Sequence, residues 1–152
     1  MEISFKPETL FILGNFSLTN SFLTSILTTL SLITLLFLAT RSLRLVPNLS
    51  QNMIETVLET LYNLNFQLAG ERISKIFPWF ATFFFFILGA NLLGLFPGFG
   101  TIGFYHHAEG GRVLVPFLRS VNSDLNMTFA LALVSLVATH VLSVKILGIK
   151  EY

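Results

Sequence analysis

Long apolar stretches without a charged residue dominate the hydropathy pattern of this chain. Three such stretches follow one another, bounded by Glu8 and Arg41, by Lys75 and Glu109, and by Asp124 and Lys145. A helix needs about 20 apolar residues to cross the hydrocarbon core of a bilayer, so each stretch is long enough for one crossing. The pattern predicts transmembrane helices near Asn20–Thr40, Ile76–Phe96 and Leu125–Val144.

A fourth segment, Asn52–Ala69, has the alternation of an amphipathic helix. Its apolar residues recur at intervals of three and four: Met53, Ile54, Val57, Leu58, Leu61, Leu64 and Leu68. Asn52 with Glu55 is typical of a capping box, and Gly70 of a helix stop. Because Glu55 and Glu59 would be costly at the bilayer centre, we expect this helix to lie along the inner membrane surface or to cover a partner helix.

These elements predict an all-α membrane protein, with three transmembrane helices and one amphipathic interfacial helix in a single membrane domain over residues 1–152. Composition agrees, since 53% of the residues are hydrophobic and only 11% are charged, and the mean hydropathy is +0.76. Soluble domains carry roughly 25% charged residues, so the composition disfavours a soluble enzyme. A net charge of +1 gives no attraction to nucleic acid, and the absence of cysteine excludes disulfides and thiolate metal sites.

Lysine and arginine in the short loops predict the orientation of the chain in the membrane. Six of them lie between the first two spans or after the third: Arg41, Arg44, Arg72, Lys75, Lys145 and Lys150. Lys6, Arg112 and Arg119 lie on the other side. The loop after the first span and the C-terminus are therefore expected in the cytoplasm, and the loop over residues 98–123 outside, in a multi-pass protein of a bacterial inner membrane.

The first span separates hydroxyl residues from bulky apolar ones. Small polar residues fill one half of the helical wheel: Ser21, Thr24, Ser25, Thr28, Thr29 and Ser31. The other half holds Phe22, Leu23, Ile26, Leu30, Ile33 and Phe37. Small residues let helices approach closely in lipid, so the hydroxyl face should pack on protein and the bulky face should meet lipid. The hydroxyls can also bond back to carbonyls of their own helix.

The second span becomes small and polar near its end. Ala90 and Gly94 are one turn apart and predict a close helix contact. Asn91 places an amide inside the apolar stretch, where it needs a partner or water. It can form an interhelical hydrogen bond or line a wet cavity, and periodicity leaves both interpretations open.

The third span opens with a cluster of polar side chains: Asn122, Ser123, Asp124, Asn126 and Thr128. The simple interpretation is a helix cap from Asn122 or Ser123, with Asp124 at the positive end of the helix dipole. The helical rise gives a second interpretation of the cluster. By this rise Asn91 lies about 9 Å along the helix axis from Pro97, and Thr128 lies about 6 Å from Asp124. Because the two spans run in opposite directions, their polar groups share the outer half of the membrane, which suggests a hydrated entrance that stops partway across.

The histidines give little support to a metal site. His106 and His107 are adjacent and lack an acidic partner at suitable spacing, so they are expected as surface residues, and His140 as an interfacial residue. The sequence predicts no metal, no cofactor and no catalytic residue.

Several motifs resemble one known family. The segment Asn91–Pro97 (NLLGLFP) is similar to the motif that closes a transmembrane helix of subunit a of F-type ATP synthase, and Arg119–Thr128 (RSVNSDLNMT) resembles the start of the next helix. Leu45–Glu59 resembles the beginning of the amphipathic segment, and Lys145–Gly148 the end of the later helix. The matches keep their order and spacing over about residues 45–150.

The resemblance implies the stator subunit of the membrane sector, which offers offset aqueous half-channels to a rotating ring of c subunits for ATP synthesis. Its expected partners are the c-ring, the b subunits of the peripheral stalk and the lipid bilayer, with no nucleic acid. Asn91, Asn122, Asp124 and Asn126 then match positions on the outer proton half-channel. Whether protons or sodium ions are coupled stays open.

The chain departs from the family pattern, because the helix pair that bears the arginine separating the half-channels has no counterpart before Tyr152. We therefore expect a truncated form of the subunit that does not translocate protons or perform catalysis alone. A small structural or assembly protein of the membrane without transport activity is the alternative. An independent channel or carrier is disfavoured, since inverted repeats and charges within the spans are absent.

Overall fold

The structure is a computed structural model that describes residues 8–14, 16–108 and 111–149. The helices are α1 (Asn20–Thr40), α2 (Leu49–Ala69), α3 (Ile73–Gly94) and α4 (Leu125–Leu147). The strands are β1 (Thr9–Leu13), β2 (Phe16–Thr19), β3 (Gly103–Ala108) and β4 (Gly111–Pro116), and short 3₁₀ turns cover Gly70–Arg72 and Val121–Ser123. One compact unit combines the described residues up to Leu30 with Phe86–Leu133, and a second combines Ser31–Phe85 with the described residues from Val134 onward.

Three helical segments in the described part of the chain are long and apolar enough to cross a membrane: Asn20–Thr40, Leu49–Gly94 and Leu125–Leu147. The expectation of a mostly helical membrane protein is confirmed. The second segment contains both α2 and α3, so the location of α2 along the membrane surface stays a prediction. The helix of the second span begins at Ile73 rather than near Ile76, because the 3₁₀ turn leads directly into it, and Pro78 lies inside α3.

The chain bends sharply between α2 and α3. Gly70 has a φ of +57° and its N–H bonds to the carbonyl of Phe66, which confirms it as the stop of α2. In a straight helix Tyr62 and Phe77 would be about 22 Å apart, yet their ring centroids lie 5.1 Å apart in an edge contact. The bend therefore packs α2 against the beginning of α3.

The predicted start of α2 is wrong. The cap is Asn48, whose Oδ1 accepts a hydrogen bond from the N–H of Gln51 at 2.9 Å, and the helix begins at Leu49 instead of following Asn52. Asn52 and Glu55 are one turn inside the helix. The apolar periodicity is weaker before Asn52, so the helix start was predicted too late in the chain. Asn48, two residues before Ser50, caps the helix with the same side-chain chemistry that was expected of Asn52.

The two faces of α1 differ as expected, although the polar stripe is narrower. Ser21, Thr24 and Thr28 are buried, and the Oγ1 atoms of Thr24 and Thr28 donate to carbonyls one turn earlier at 2.9 and 2.8 Å. Ser25 is half-buried, and Thr29 and Ser31 are exposed. The whole bulky face is exposed: Phe22, Leu23, Ile26, Leu30, Ile33 and Phe37. Packing on protein and bonding within the helix therefore both occur.

Two β-hairpins in the described residues correct the all-α prediction. β1 pairs antiparallel with β2, and β3 pairs antiparallel with β4 from Gly103 opposite Pro116 to Ala108 opposite Gly111. His106 and His107 therefore lie on a strand. Aromatic and β-branched residues favour strands, and glycine permits the turn, since Gly14 has a φ of +62°. A Cβ on Gly103 would overlap the carbonyl of Val115, so only glycine permits this approach.

Gln51 fastens the connection between α1 and α2. Its side chain is buried, its Oε1 accepts the N–H of Arg44 at 3.1 Å, and its Nε2 donates to the Arg44 carbonyl at 3.1 Å and to Glu55 Oε1 at 2.8 Å. One amide thereby satisfies both backbone groups of a loop residue, as a neighbouring strand would.

Substitution Gln51→Leu should loosen this loop. Loss of both bonds to Arg44 should speed amide hydrogen exchange there by about tenfold, since a net hydrogen bond contributes about 1 kcal/mol. Exchange followed by mass spectrometry in detergent micelles measures this, with Gln67→Leu on the exposed part of α2 as the matched control. Equal exchange at Arg44 in the two variants would show that Gln51 does not hold the loop.

Candidate functional site

Two asparagines far apart in sequence meet at the end of α3. Asn122 Nδ2, in the 3₁₀ turn before α4, donates to Asn91 Oδ1 at 2.8 Å and to the Ile87 carbonyl at 3.2 Å. A backbone carbonyl only accepts, so this contact fixes which end of the Asn122 amide is the nitrogen. Asn122 Oδ1 must then point elsewhere, and it is buried without a hydrogen bond to any residue that the structure describes.

Small side chains make this approach possible. Ala90 and Val121 are fully buried, and Gly94 lies directly against Ser120. A Cβ on Gly94 would lie 2.8 Å from Ser120 Oγ and 2.9 Å from Ser120 Cβ, which is closer than real Cβ atoms approach their neighbours. The segment before α4 therefore rests on the small residues of α3, one turn from Asn91.

Asp124 joins the turn to α4 and is only 4% exposed. Its Oδ1 accepts the N–H of Asn126 at 2.9 Å, and its carbonyl accepts the N–H of Thr128 at 3.1 Å. This is N-cap geometry, so the cap is Asp124 itself and the alternatives Asn122 and Ser123 are wrong. The positive end of the α4 dipole favours a carboxylate at this position.

The neighbouring loop contributes groups that sequence analysis did not identify. The N–H of Arg119 donates to Thr24 Oγ1 on α1 at 3.3 Å, and Arg119 Nε donates to Ser123 Oγ at 3.1 Å. Ser123 Oγ in turn donates to the Ser120 carbonyl at 2.7 Å. The hydroxyl face of α1 was the available signal for Thr24, whereas no local pattern pairs it with Arg119.

The predicted residues thus fall into two contacts along one turn. Asn91 and Asn122 bond through their side chains, while Asp124 bonds the backbone of Asn126, whose own side chain is exposed. All of them lie in the same compact unit, at the adjoining ends of α3 and α4. The arrangement offers amide groups, one buried carboxylate and an open acceptor within a largely apolar segment, which is the chemistry of a site that binds water.

The sequence also matches a known protein family. Residues 22–152 fit the family described as ATP synthase A chain. The chain belongs to this family. The resemblance read from the motifs is therefore confirmed over most of the chain, and the protein is an integral membrane protein of the kind that its apolar helices indicate.

Individual members of the family are similar over long segments. Subunit a of ATP synthase from Trichlorobacter lovleyi is 33% identical over 75% of this chain and 41% of its own length. Subunit a 1 from Pelobacter propionicus is 36% identical over 74% of this chain and 41% of its own. Subunit a from Legionella pneumophila is 29% identical over 99% of this chain and 58% of its own length. The chain thus spans between 41% and 58% of the length of these relatives.

Substitution Gly94→Ala should disturb the contact beneath the asparagine pair. The added methyl group meets Ser120, and overpacking of this kind typically costs about 1–3 kcal/mol. We expect a lower thermal unfolding midpoint in detergent micelles, with recovery in the double variant Gly94→Ala, Ser120→Gly, which removes the opposing side chain. A double variant no more stable than Gly94→Ala alone would contradict this contact.

Proposed function

We propose that this chain contributes the outer-side aqueous half-channel in the membrane sector of an F-type ATP synthase, through which protons reach the c-ring for rotary ATP synthesis. The observation that carries the proposal is the 2.8 Å hydrogen bond between Asn91 and Asn122, which leaves one buried amide oxygen open. Family membership and the apolar helices support the location in the membrane sector.

The chemistry of the pair explains how it would serve protons. Amide side chains do not take up or release protons at physiological pH, so they act by holding water. A buried acceptor without a donor costs about 1–3 kcal/mol, and a water molecule bound to Asn122 Oδ1 removes that cost. Such a water, kept in place by the asparagines, can pass a proton along a hydrogen-bonded chain.

Asp124 supplies the negative charge of the site. Its carboxylate is buried beside the turn that carries Asn122, and one of its oxygens is occupied by the Asn126 N–H. A carboxylate in a low-dielectric wall raises the local concentration of cations, including protons. We propose that it attracts protons to the entrance while the amides hold the water that conducts them.

The remaining contacts of the complex follow from the same proposal. In this proposal the exposed apolar faces of α1 and α4 contact lipid or neighbouring helices of the membrane sector. The c-ring receives the protons that pass the Asn91–Asp124 site. We propose that α2 lies along the inner membrane surface, where its exposed Glu55 and Glu59 stay in water and face the b subunits of the peripheral stalk.

Substitution Asp124→Asn separates this function from a purely structural cap. Asparagine caps helices as well as aspartate, so the bond to the Asn126 N–H and the stability of α4 should persist. Loss of the charge should lower ATP-driven proton uptake into inverted membrane vesicles carrying the assembled synthase by about tenfold.

The matched control is Glu71→Gln, which removes an exposed carboxylate in the 3₁₀ turn after α2 and should leave proton uptake unchanged. Assembly is checked by recovery of the c subunits with the complex. Undiminished proton uptake in a fully assembled Asp124→Asn enzyme would assign Asp124 to capping alone and would favour the alternative of a structural or assembly protein.

A further inference from the structure

A second cluster of buried polar groups lies outside the Asn91–Asp124 site, at the beginning of α1. Its centre is Asn20, which is completely buried. Asn20 Oδ1 accepts the N–H of Glu8 at 3.3 Å and the N–H of Ser21 at 2.9 Å, and its Nδ2 donates to the Pro116 carbonyl at 3.3 Å. Because all three partners are backbone groups of fixed donor or acceptor character, the orientation of this amide is determined.

Two polar side-chain atoms of residues whose backbones bond to Asn20 are left without a partner among the described residues. They are Glu8 Oε2 and Ser21 Oγ, both buried, and Ser21 is only 3% exposed. The backbone N–H groups of Glu8 and Ser21 both donate to Asn20 Oδ1, and the Asn20 N–H donates to the Glu8 carbonyl at 3.1 Å. A carboxylate oxygen needs a donor, and a hydroxyl can both donate and accept.

The surroundings select water rather than a cation. Asn20 Oδ1 already accepts two N–H groups, so it has little capacity left for a metal ion. The beginning of α1 also carries the positive end of the helix dipole, which opposes a bound cation. A water molecule can donate to Glu8 Oε2 and bond to Ser21 Oγ, and buried polar atoms without protein partners are commonly satisfied in this way.

The cluster continues along α1 toward the first site. Asn20, Thr24 and Thr28 are spaced by four residues on one face, and all three are completely buried. Thr24 Oγ1 accepts the N–H of Arg119, whose side chain bonds to Ser123 next to Asp124. Hydroxyl and amide groups thus connect the beginning of α1 with the turn that carries Asn122.

We propose that Glu8 and Ser21 bind a buried water molecule at the start of α1, and that this water site extends the hydrated region from the Asn91–Asp124 site to the first helix. The water site rests on the unpaired atoms themselves. Only its role as part of a proton entrance rests on the proposed function.

Water contact can be measured directly in the full chain reconstituted in lipid bilayers. Magic-angle spinning NMR follows the transfer of magnetisation from water protons to Glu8 Cδ and Ser21 Cβ. Thr29 Cβ is the internal reference, because Thr29 is exposed on α1 and its hydroxyl bonds to the Ser25 carbonyl. We expect Glu8 and Ser21 to receive magnetisation severalfold faster than Thr29.

The variant Ser21→Ala removes one of the two groups that hold the water and should slow transfer to Glu8. Its matched control is Ser25→Ala, whose hydroxyl already donates to the Phe22 carbonyl at 2.7 Å and should not affect Glu8. An unchanged Asn20 side-chain amide signal shows that the cluster remains folded. Transfer to Glu8 as slow as to Thr29, or equally fast in both variants, would overturn the proposal, and neither result depends on proton uptake by the synthase.

Discussion

The structure depends on the high cost of an unpaired polar group in an apolar medium. Among the described residues, the long helices expose bulky apolar side chains, and the buried set is mainly polar: Asn20, Ser21, Thr24, Thr28, Gln51 and Asp124, with Ile73, Ala90 and Val121. Three amides connect segments that are distant in sequence or join a loop to a helix, and each donates to a backbone carbonyl. Asn20 bonds to Pro116, Gln51 to Arg44 and Asn122 to Ile87. These bonds join separate segments of the chain, so they can stabilise a fold in which the described residues include few buried apolar side chains.

The same constraint produces the candidate site. A membrane helix can bury an amide only if its oxygen and nitrogen find partners, and Asn122 satisfies its nitrogen twice while its oxygen stays open. Such an arrangement is stable where water reaches it. The small residues Ala90 and Gly94 let the turn approach α3 closely enough for the bond to Asn91, and Asp124 holds the end of that turn as the cap of α4. Packing, capping and an acceptor open to water therefore meet in one short segment, and the proposed proton path is built on these three features.

Sequence patterns predicted the parts of this structure that depend on local composition. Gaps between charged residues located the apolar helices, Gly70 marked the end of α2, and the hydroxyl residues of α1 indicated its protein-facing side. The family followed from motifs in a fixed order. The missed features are long-range or lie in short elements. Asn20 and Pro116 are 96 residues apart, and Asn122 looked like a helix cap because no periodicity connects it with Asn91. The sequence did carry a pattern that favours the hairpins, namely glycines between short β-prone runs. These runs lie beside apolar helices that dominate the hydropathy pattern, so the hairpins were not predicted.

Access of water from the outer side to the end of α3 and the beginning of α4 can be measured with single cysteines, because the chain has no cysteine of its own. The variants Asn91→Cys and Asn126→Cys would be treated with a membrane-impermeant thiol reagent in membranes that carry the assembled synthase. A cysteine at Val137, exposed in the middle of α4, serves as the lipid-facing reference. We expect rapid labelling at both polar positions from the outer side and none at Val137. Labelling at Asn91 and Asn126 as slow as at Val137 from either side would contradict this expectation.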